Sequence, residues 1–225
     1  MSEEKRIELF QDVRFSAPGM ERSELRTEIL RSIAEPWHQV SEKPLIVLAR
    51  VAAAVSDDVI MFDRRAGDGL PESALTLWPS GNGFRVSNIF PAEVGFLSPT
   101  TYNDLLNDFV ERVLRRVAWV PIMDIELSER YGVMSDWIGD RAAEMFAAFS
   151  DVANKSAAAS DQRDRARWLD FIIEVHRSGN SEMLSANRLA RWLIEAEEWP
   201  EEFAHQLAAE YEASIELLRR YDGLV

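Results

Sequence analysis

The sequence has no cysteine and very little lysine, and both shortages limit the chemistry open to it. Without cysteine the chain forms no disulfide, has no thiol nucleophile and cannot bind zinc or an iron–sulfur cluster through thiolates. The absence is compatible with a reducing compartment, so we expect a cytoplasmic protein. All but 3 of the 25 basic residues are arginine, and this bias, together with abundant alanine, is typical of a bacterium with a GC-rich genome.

Long hydrophobic runs are also missing. The longest candidate, from Pro44 to Val55, contains Arg50 and is shorter than the roughly 20 apolar residues that cross a bilayer. The first residues are acidic and no apolar core follows them, unlike a secretory signal. We therefore expect no association with a membrane.

Positive charge is scarce, because the net charge is -14 at pH 7. Binding to an extended nucleic acid needs a dense basic surface, so we do not expect it. Acidic residues are concentrated between Glu195 and Glu216, a stretch without lysine or arginine. We predict that four glutamates of this stretch bind a protein partner with a basic surface, the alternative being a solvated face that only keeps the protein soluble. These partner-binding residues are Glu201, Glu202, Glu210 and Glu212.

The chain is nevertheless well supplied with core-forming residues. Its 225 residues are 47% hydrophobic and include 7 Trp and 11 Phe, which suffices for one large domain or two small ones. The number of glycines and prolines, 10 and 9, is too low for a fibrous or low-complexity protein.

The clearest local pattern is a β-hairpin followed by a helix. Alternating residues predict strands over 74–79 and 83–90, joined by the turn Ser80-Gly81-Asn82-Gly83, and an apolar run predicts a third strand over 58–64. Ser98 is a typical N-cap and Pro99 a typical first helical residue, and apolar residues at helical spacing follow as far as Val117. The three strands should be sequential and antiparallel.

The flanking segments are less well determined. Residues up to about 17 form an arm or an edge strand, and Ser23 is predicted to cap a helix that Pro36 ends. The segment 44–52 fits either a helix or a buried strand. The apolar stretch from Val117 to Ile125 is interrupted by Pro121 and is interpreted as a crossing between two halves.

After about residue 126 we expect helices and no strand. Ser135 is predicted to cap a first helix that extends to Phe149, and further helices follow near 168–175, 189–196 and 203–218. The predicted fold class is therefore α+β: a three-stranded antiparallel sheet with flanking helices in residues 1–120, then an all-helical bundle in residues 121–225. The two parts form either separate domains or one continuous compact unit.

Histidine and carboxylate pairs are the first candidates for chemistry. The pairs Glu202/His205 and Glu35/His38 have the Glu-x-x-His spacing of carboxylate-bridged metal bundles, but Pro36 interrupts the second pair. We expect His205 to be a surface histidine, and the remaining histidine, His176, belongs to no such pair.

Clustered aspartates and arginines are the other candidates. The aspartates around the strand predicted over 58–64 are compatible with a metal-assisted nuclease, although turn and capping roles are the simpler interpretation. They are Asp57, Asp58, Asp63 and Asp68. Several arginines of the C-terminal half fit a basic strip, although salt bridges to nearby aspartates explain them as well. They are Arg163, Arg165, Arg167, Arg188 and Arg191.

No nucleophile elbow, metalloprotease, Walker or dinucleotide-binding motif occurs in the sequence. We therefore expect no catalytic, cofactor-binding or metal-binding residue. The function that we predict is a non-enzymatic acidic protein-interaction module, such as an antitoxin, an immunity protein or an accessory subunit of a bacterial defence complex. Two alternatives stay open: a hydrolase or nucleotide-processing enzyme whose carboxylates converge only in three dimensions, and a small-ligand sensor.

Overall fold

The computed structural model describes residues 5–40, 59–117, 123–157 and 161–223. The chain divides into a sheet unit, Glu8–Arg130, and a helical unit that combines Met1–Ile7 with Tyr131–Val225. The sequence had suggested a division at residue 120, with every earlier residue in the first part. The segment 44–52, for which the sequence allows helix or strand, lies outside the described residues.

The strands are β1 (Ile7–Glu8), β2 (Val13–Ser16), β3 (Trp37–Gln39), β4 (Ile60–Arg64), β5 (Ser73–Ser80), β6 (Gly83–Val86), β7 (Ile89–Pro91), β8 (Asp124–Leu127) and β9 (Tyr131–Gly132). The α-helices are α1 (Arg22–Ser32), α2 (Pro99–Arg112), α3 (Met134–Ile138), α4 (Asp140–Val152), α5 (Gln162–Arg177), α6 (Ala186–Glu195) and α7 (Glu201–Asp222). Short 3-10 helices lie at Leu114–Arg116 and Lys155–Ala157. Among the described residues, no helix has the length and apolar character needed to cross a bilayer.

The sheet unit is built on a seven-stranded sheet in the order β3-β4-β5-β6-β2-β8, with β7 pairing with β5 beside this path. The mixed α and β class is confirmed, but the prediction of three strands is wrong. The predicted strands are present: 58–64 corresponds to β4, 74–79 to β5, and 83–90 to the two successive strands β6 and β7. Four residues or fewer make up each of β2, β3 and β8, which is too short for a reliable alternating pattern.

Strand β2 corrects the interpretation of the N-terminal segment as an arm or edge strand. It pairs with β6 on one side and with β8 on the other, so it is an internal strand. Val13 and Phe15 are buried while Arg14 is exposed, which is the alternation of a half-buried strand. Its partners lie far away in the sequence, so the pairing leaves no local signal. Strand β8 likewise occupies the end of the stretch interpreted as a crossing.

The hairpin between β5 and β6 is confirmed, with Ser80 opposite Gly83 and a two-residue turn at Gly81-Asn82. Gly83 is required for packing, because a Cβ atom at this position would lie 1.9 Å from the carbonyl oxygen of Phe15 in β2. The predicted second strand is divided into β6 and β7. At the division, the indole of Trp78 donates a hydrogen bond to the Asn88 side chain at 2.9 Å.

Helices α1 and α2 contribute apolar side chains to the core of the sheet unit. Phe109 of α2 is fully buried, and its ring centroid lies 5.2 Å from that of Trp37 and 5.3 Å from that of Phe62. The N-cap of α2 is confirmed, because the Ser98 hydroxyl accepts a hydrogen bond from the Thr101 amide and Pro99 is the first helical residue. The predicted cap of α1 is wrong: the helix begins at Arg22 after Glu21, so Ser23 lies inside it.

The helical unit has an aromatic core. The ring of Phe149 lies 5.1 Å from Trp168 and 5.7 Å from Trp199, between centroids, and Phe146 lies 5.2 Å from Phe171. The helix predicted from Ser135 to Phe149 is in fact two helices. Gly139, at φ 80°, ends α3 and precedes α4, a backbone angle that favours glycine.

The absence of strands after about residue 126 is also a wrong prediction. Strand β8 extends to Leu127, and β9 pairs with β1 in a two-stranded sheet. Strand β9 contains only two residues, so periodicity could not reveal it. The described chain after Gly132 is free of strands.

Candidate functional site

The loop between β7 and α2 is fixed at both ends. Pro91 pairs with Ser73 at the end of the sheet, and the Ala92 amide donates a hydrogen bond to the Glu72 carbonyl at 3.0 Å. At the other end, Leu97 packs against the hydrophobic core and Ser98 caps α2. The residues between these fixed points, 93–96, are all exposed.

Two large apolar side chains at the tip of this loop are completely exposed. The relative accessibility is 109% for Val94 and 103% for Phe96, higher than for any other large hydrophobic residue among those described. Gly95 lies between them with φ 155°, in the region that favours glycine, and no atom lies within 4 Å of where its Cβ would be. The loop therefore presents an apolar surface that none of the described residues of the sheet unit covers.

Acidic groups lie near the base of this loop. Glu93 and Glu72 are exposed, and Glu72 directly precedes the strand with which Pro91 pairs. Asp63 lies on β4 opposite Ala74, which is itself opposite Phe90 of β7. Burial raises the pKa of the Asp63 carboxyl; the neighbouring His38 opposes this shift and the Glu72 carboxylate adds to it.

The four glutamates predicted from the sequence to bind a partner all lie on α7, and they differ in accessibility. Glu201, Glu202 and Glu212 are exposed. Glu210 is partly buried, because its carboxylate pairs with Arg165 and accepts a hydrogen bond from the Trp168 indole at 3.2 Å. Three of the four carboxylates are therefore accessible, while the fourth connects α5 to α7. Their role in binding stays a prediction.

The histidines have separate partners. His205 Nε2 lies 3.8 Å from a Glu201 carboxylate oxygen, and His176 Nε2 lies 2.7 Å from an oxygen of Asp222. His38 lies on β3 opposite Asp63. Within the described ranges, no three histidine, aspartate or glutamate side chains are grouped so as to hold a metal ion.

The candidate aspartates do not share an environment in the part that the structure describes. Asp68 accepts a hydrogen bond from Arg112 at 2.6 Å, whereas Asp63 lies opposite His38 of the neighbouring strand β3. Asp57 and Asp58 lie outside the described residues. Turn and ion-pair roles thus account for Asp68.

Most of the arginines suggested as a basic strip have their own partners. Arg165 pairs with Glu210, Arg167 with Asp164 at 3.1 Å, and Arg191 with Glu195 at 2.9 Å. The guanidinium of Arg188 lies over the ring of Trp137, 5.0 Å from its centroid. Arg163 is exposed on α5.

Sequence reasoning missed Val94 and Phe96. The available signal was a pair of large apolar residues on either side of a glycine, in the short segment between a predicted strand and the Ser98 cap. Periodicity does not apply to such a loop, so the pair could not be distinguished from core residues. We compared the chain with family models, curated proteins and solved structures, and none of these comparisons finds a match.

Proposed function

We propose that this protein is a non-enzymatic protein-interaction module, and that Val94 and Phe96 are its main contact residues for a partner with a basic surface. The observation that carries the proposal is the complete exposure of both side chains on a loop with fixed ends. This role is that of an antitoxin, an immunity protein or an accessory subunit of a bacterial defence complex.

Leaving two large apolar side chains in water is unfavourable. Full burial of a valine or phenylalanine side chain stabilises a complex by roughly 1.5–3 kcal/mol. Because the loop ends are held by Glu72, Leu97 and the Ser98 cap, the ordering that binding has to offset is confined to the tip of the loop. The pair can therefore act as a small hot spot inserted into an apolar pocket of the partner.

The charge of the surroundings indicates the kind of partner. Glu93 lies in the loop, the backbone of Glu72 holds its first residue, and both side chains are exposed, while the whole chain carries a net charge of -14. A basic rim around the partner's pocket would complement these carboxylates and accelerate association at low ionic strength. An anionic membrane, by contrast, would be repelled.

Site-specific photo-crosslinking tests the proposal. The photoreactive residue p-benzoylphenylalanine replaces Phe96 in one variant and Leu217 in the other, an exposed apolar residue of α7 that serves as a matched control. We expect a defined crosslinked protein from position 96 and none from position 217 in lysate of the source organism. The protein identified is then purified, and its dissociation constant is measured with the wild type, Phe96→Ser and Leu217→Ser at two salt concentrations.

The proposal requires that Phe96→Ser weaken binding at least tenfold, that Leu217→Ser leave it unchanged, and that added salt weaken the wild-type complex. Since both side chains are exposed, neither substitution should alter folding, and thermal denaturation checks this. Equal crosslinking from both positions, or binding that is insensitive to Phe96→Ser, would overturn it.

A further inference from the structure

The helical unit contains a cavity of about 310 Å³ that the proposed interaction loop does not involve. Its size is at the lower end of the range for small-molecule sites, roughly 300–1,000 Å³. Met134, Ala143, Phe146 and Trp192 supply an apolar wall. Lys5, Asp151 and Glu197 supply the charged end. Such a cavity suits a small molecule with one charged group and an apolar body.

Glu197 is the buried charge of this site, with only 3% of its surface exposed. Its Oε2 atom accepts hydrogen bonds from the Lys5 ammonium and the Ser150 hydroxyl, both at 2.7 Å. Among the described residues, the donor to Oε1 is the Trp192 indole, at the long distance of 3.4 Å. The Glu197 backbone carbonyl is held by the Lys155 ammonium. The carboxylate is thus fixed in place, and Oε1 can still accept a stronger donor.

The lining of this end of the cavity has more negative than positive groups. The Lys5 ammonium contacts Glu197 and also lies 3.9 Å from the exposed carboxylate of Asp151. Among the lining residues, two carboxylates therefore accompany one ammonium group, whereas the Lys155 ammonium lies outside the lining and contacts the Glu197 backbone carbonyl. Within the described ranges, Asp151 accepts no hydrogen bond, so its acceptor capacity is available to a ligand.

We propose that this cavity binds a small organic cation, a primary amine with an apolar aryl or alkyl body. Its ammonium group donates to Glu197 Oε1 and to Asp151, and thereby adds a second positive charge beside the two carboxylates of the lining. Its body packs against Phe146 and Trp192, and the indole face contributes a cation–π attraction when the ammonium is desolvated. In the free protein the Lys5 ammonium binds the Glu197 carboxylate, so it competes with the ammonium group of the ligand.

Isothermal titration calorimetry with three phenyl probes of similar size tests the charge preference. The probes are phenethylamine, 2-phenylethanol and 3-phenylpropionate. We expect phenethylamine to bind at least tenfold more tightly than the alcohol, and the carboxylate to bind more weakly still. Preference for the carboxylate, or no binding of the amine up to millimolar concentration, would overturn the proposal.

Variants that each remove one charge locate the site, because loss of a carboxylate should weaken phenethylamine binding and loss of the Lys5 ammonium should strengthen it. Glu197→Gln should weaken phenethylamine binding at least tenfold, and Asp151→Asn severalfold. Lys5→Gln should strengthen it severalfold, because it removes the competing cation; if Lys5 only stabilised the fold, binding would weaken instead. Glu201→Gln, which removes the same charge at an exposed position outside the cavity lining, should have no effect.

Asp151 and Lys5 are partly or largely exposed, so their variants should fold even if Glu197→Gln does not. If Lys5→Gln and Glu197→Gln shift the affinity in the same direction, or if Glu201→Gln weakens binding as much as Asp151→Asn, the assignment to this cavity is wrong.

Discussion

Arg64 of the sheet unit and Glu197 of the helical unit are both buried charged side chains, and the two are handled differently. In the sheet unit, Arg64 is 0% exposed and donates to Asp108 Oδ2 at 3.0 Å and to the backbone carbonyls of Arg65, Gly67 and Leu70. In the helical unit, Glu197 depends on Lys5, whose side chain is half-exposed, and it borders a cavity. The first charge is enclosed by acceptors, whereas the second retains capacity for a ligand.

The partner of Arg64 is itself fully engaged. Asp108 Oδ2 also accepts from the Trp37 indole at 2.8 Å, and its Oδ1 accepts from Arg112 Nε at 2.7 Å. This network connects β3, β4 and α2. Burial of a charge alone therefore does not indicate function; what matters is whether the protein uses up the hydrogen-bonding capacity of the charged group.

The largest effect expected is that of Arg64→Met. Removal of one partner of a buried ion pair leaves Asp108 without its main counter-ion and typically costs about 3–5 kcal/mol. Glu197→Gln should cost less, about 1–3 kcal/mol, because Lys5 can turn to solvent and the Ser150 hydroxyl keeps an acceptor. Urea denaturation of the full-length variants measures both. Equal losses would show that the two charges are equivalent structural elements.

Acid should reduce the stability that the Asp108 carboxylate contributes. Burial would raise the pKa of the Asp108 carboxyl, but the donors from Arg64, Trp37 and Arg112 hold it below its ordinary value. A carboxyl whose pKa is lowered by folding contributes stability above its unfolded pKa, about 3.9, and loses it as the pH falls through the folded value. The contribution should therefore be intact at pH 5 and decline below about pH 4.

Denaturation midpoints of the wild type and Asp108→Asn between pH 5 and pH 2.5 measure this decline. The difference between the two proteins should shrink as the pH falls, because protonation abolishes the charge that the substitution removes. A constant difference would mean that another carboxyl is responsible for the acid sensitivity.

Local features of the fold could be predicted from the sequence, and non-local ones could not. The Ser98 cap and the β5–β6 hairpin depend on residues close together in the chain, and both were predicted. Strand β2 pairs with β6 and β8, and Arg64 meets Asp108, only after the chain folds back. Hydrophobic periodicity contains no information about such pairings.

The candidate sites follow the same rule. The acidic face of α7 was visible because its glutamates share one helix, although Glu210 turns out to pair with Arg165. Lys5 and Glu197 are nearly the whole chain apart, so their ion pair could not be foreseen. Val94 and Phe96 are neighbours in sequence, but their exposure is determined by the fixed ends of the loop.

The smallest effect expected compares one helix cap from each unit. The Ser98 hydroxyl accepts from the Thr101 amide at 3.1 Å, and the Ser185 hydroxyl accepts from the Arg188 amide at 3.3 Å. Loss of a serine N-cap costs about 0.5–2 kcal/mol. We expect Ser98→Ala to lie higher in this range than Ser185→Ala, because its hydrogen bond is shorter and α2 carries Asp108 of the enclosed network. Amide hydrogen exchange in α2 and α6 reports each loss in its own unit.

Combination with Arg64→Met tests whether each cap is coupled to the buried network. Since Ser98→Ala loosens the helix on which the Arg64 network depends, its effect on the free energy of unfolding should be less than additive with that of Arg64→Met, whereas the effect of Ser185→Ala should add fully. Full additivity of both would show that the α2 cap and the buried network stabilise the sheet unit independently.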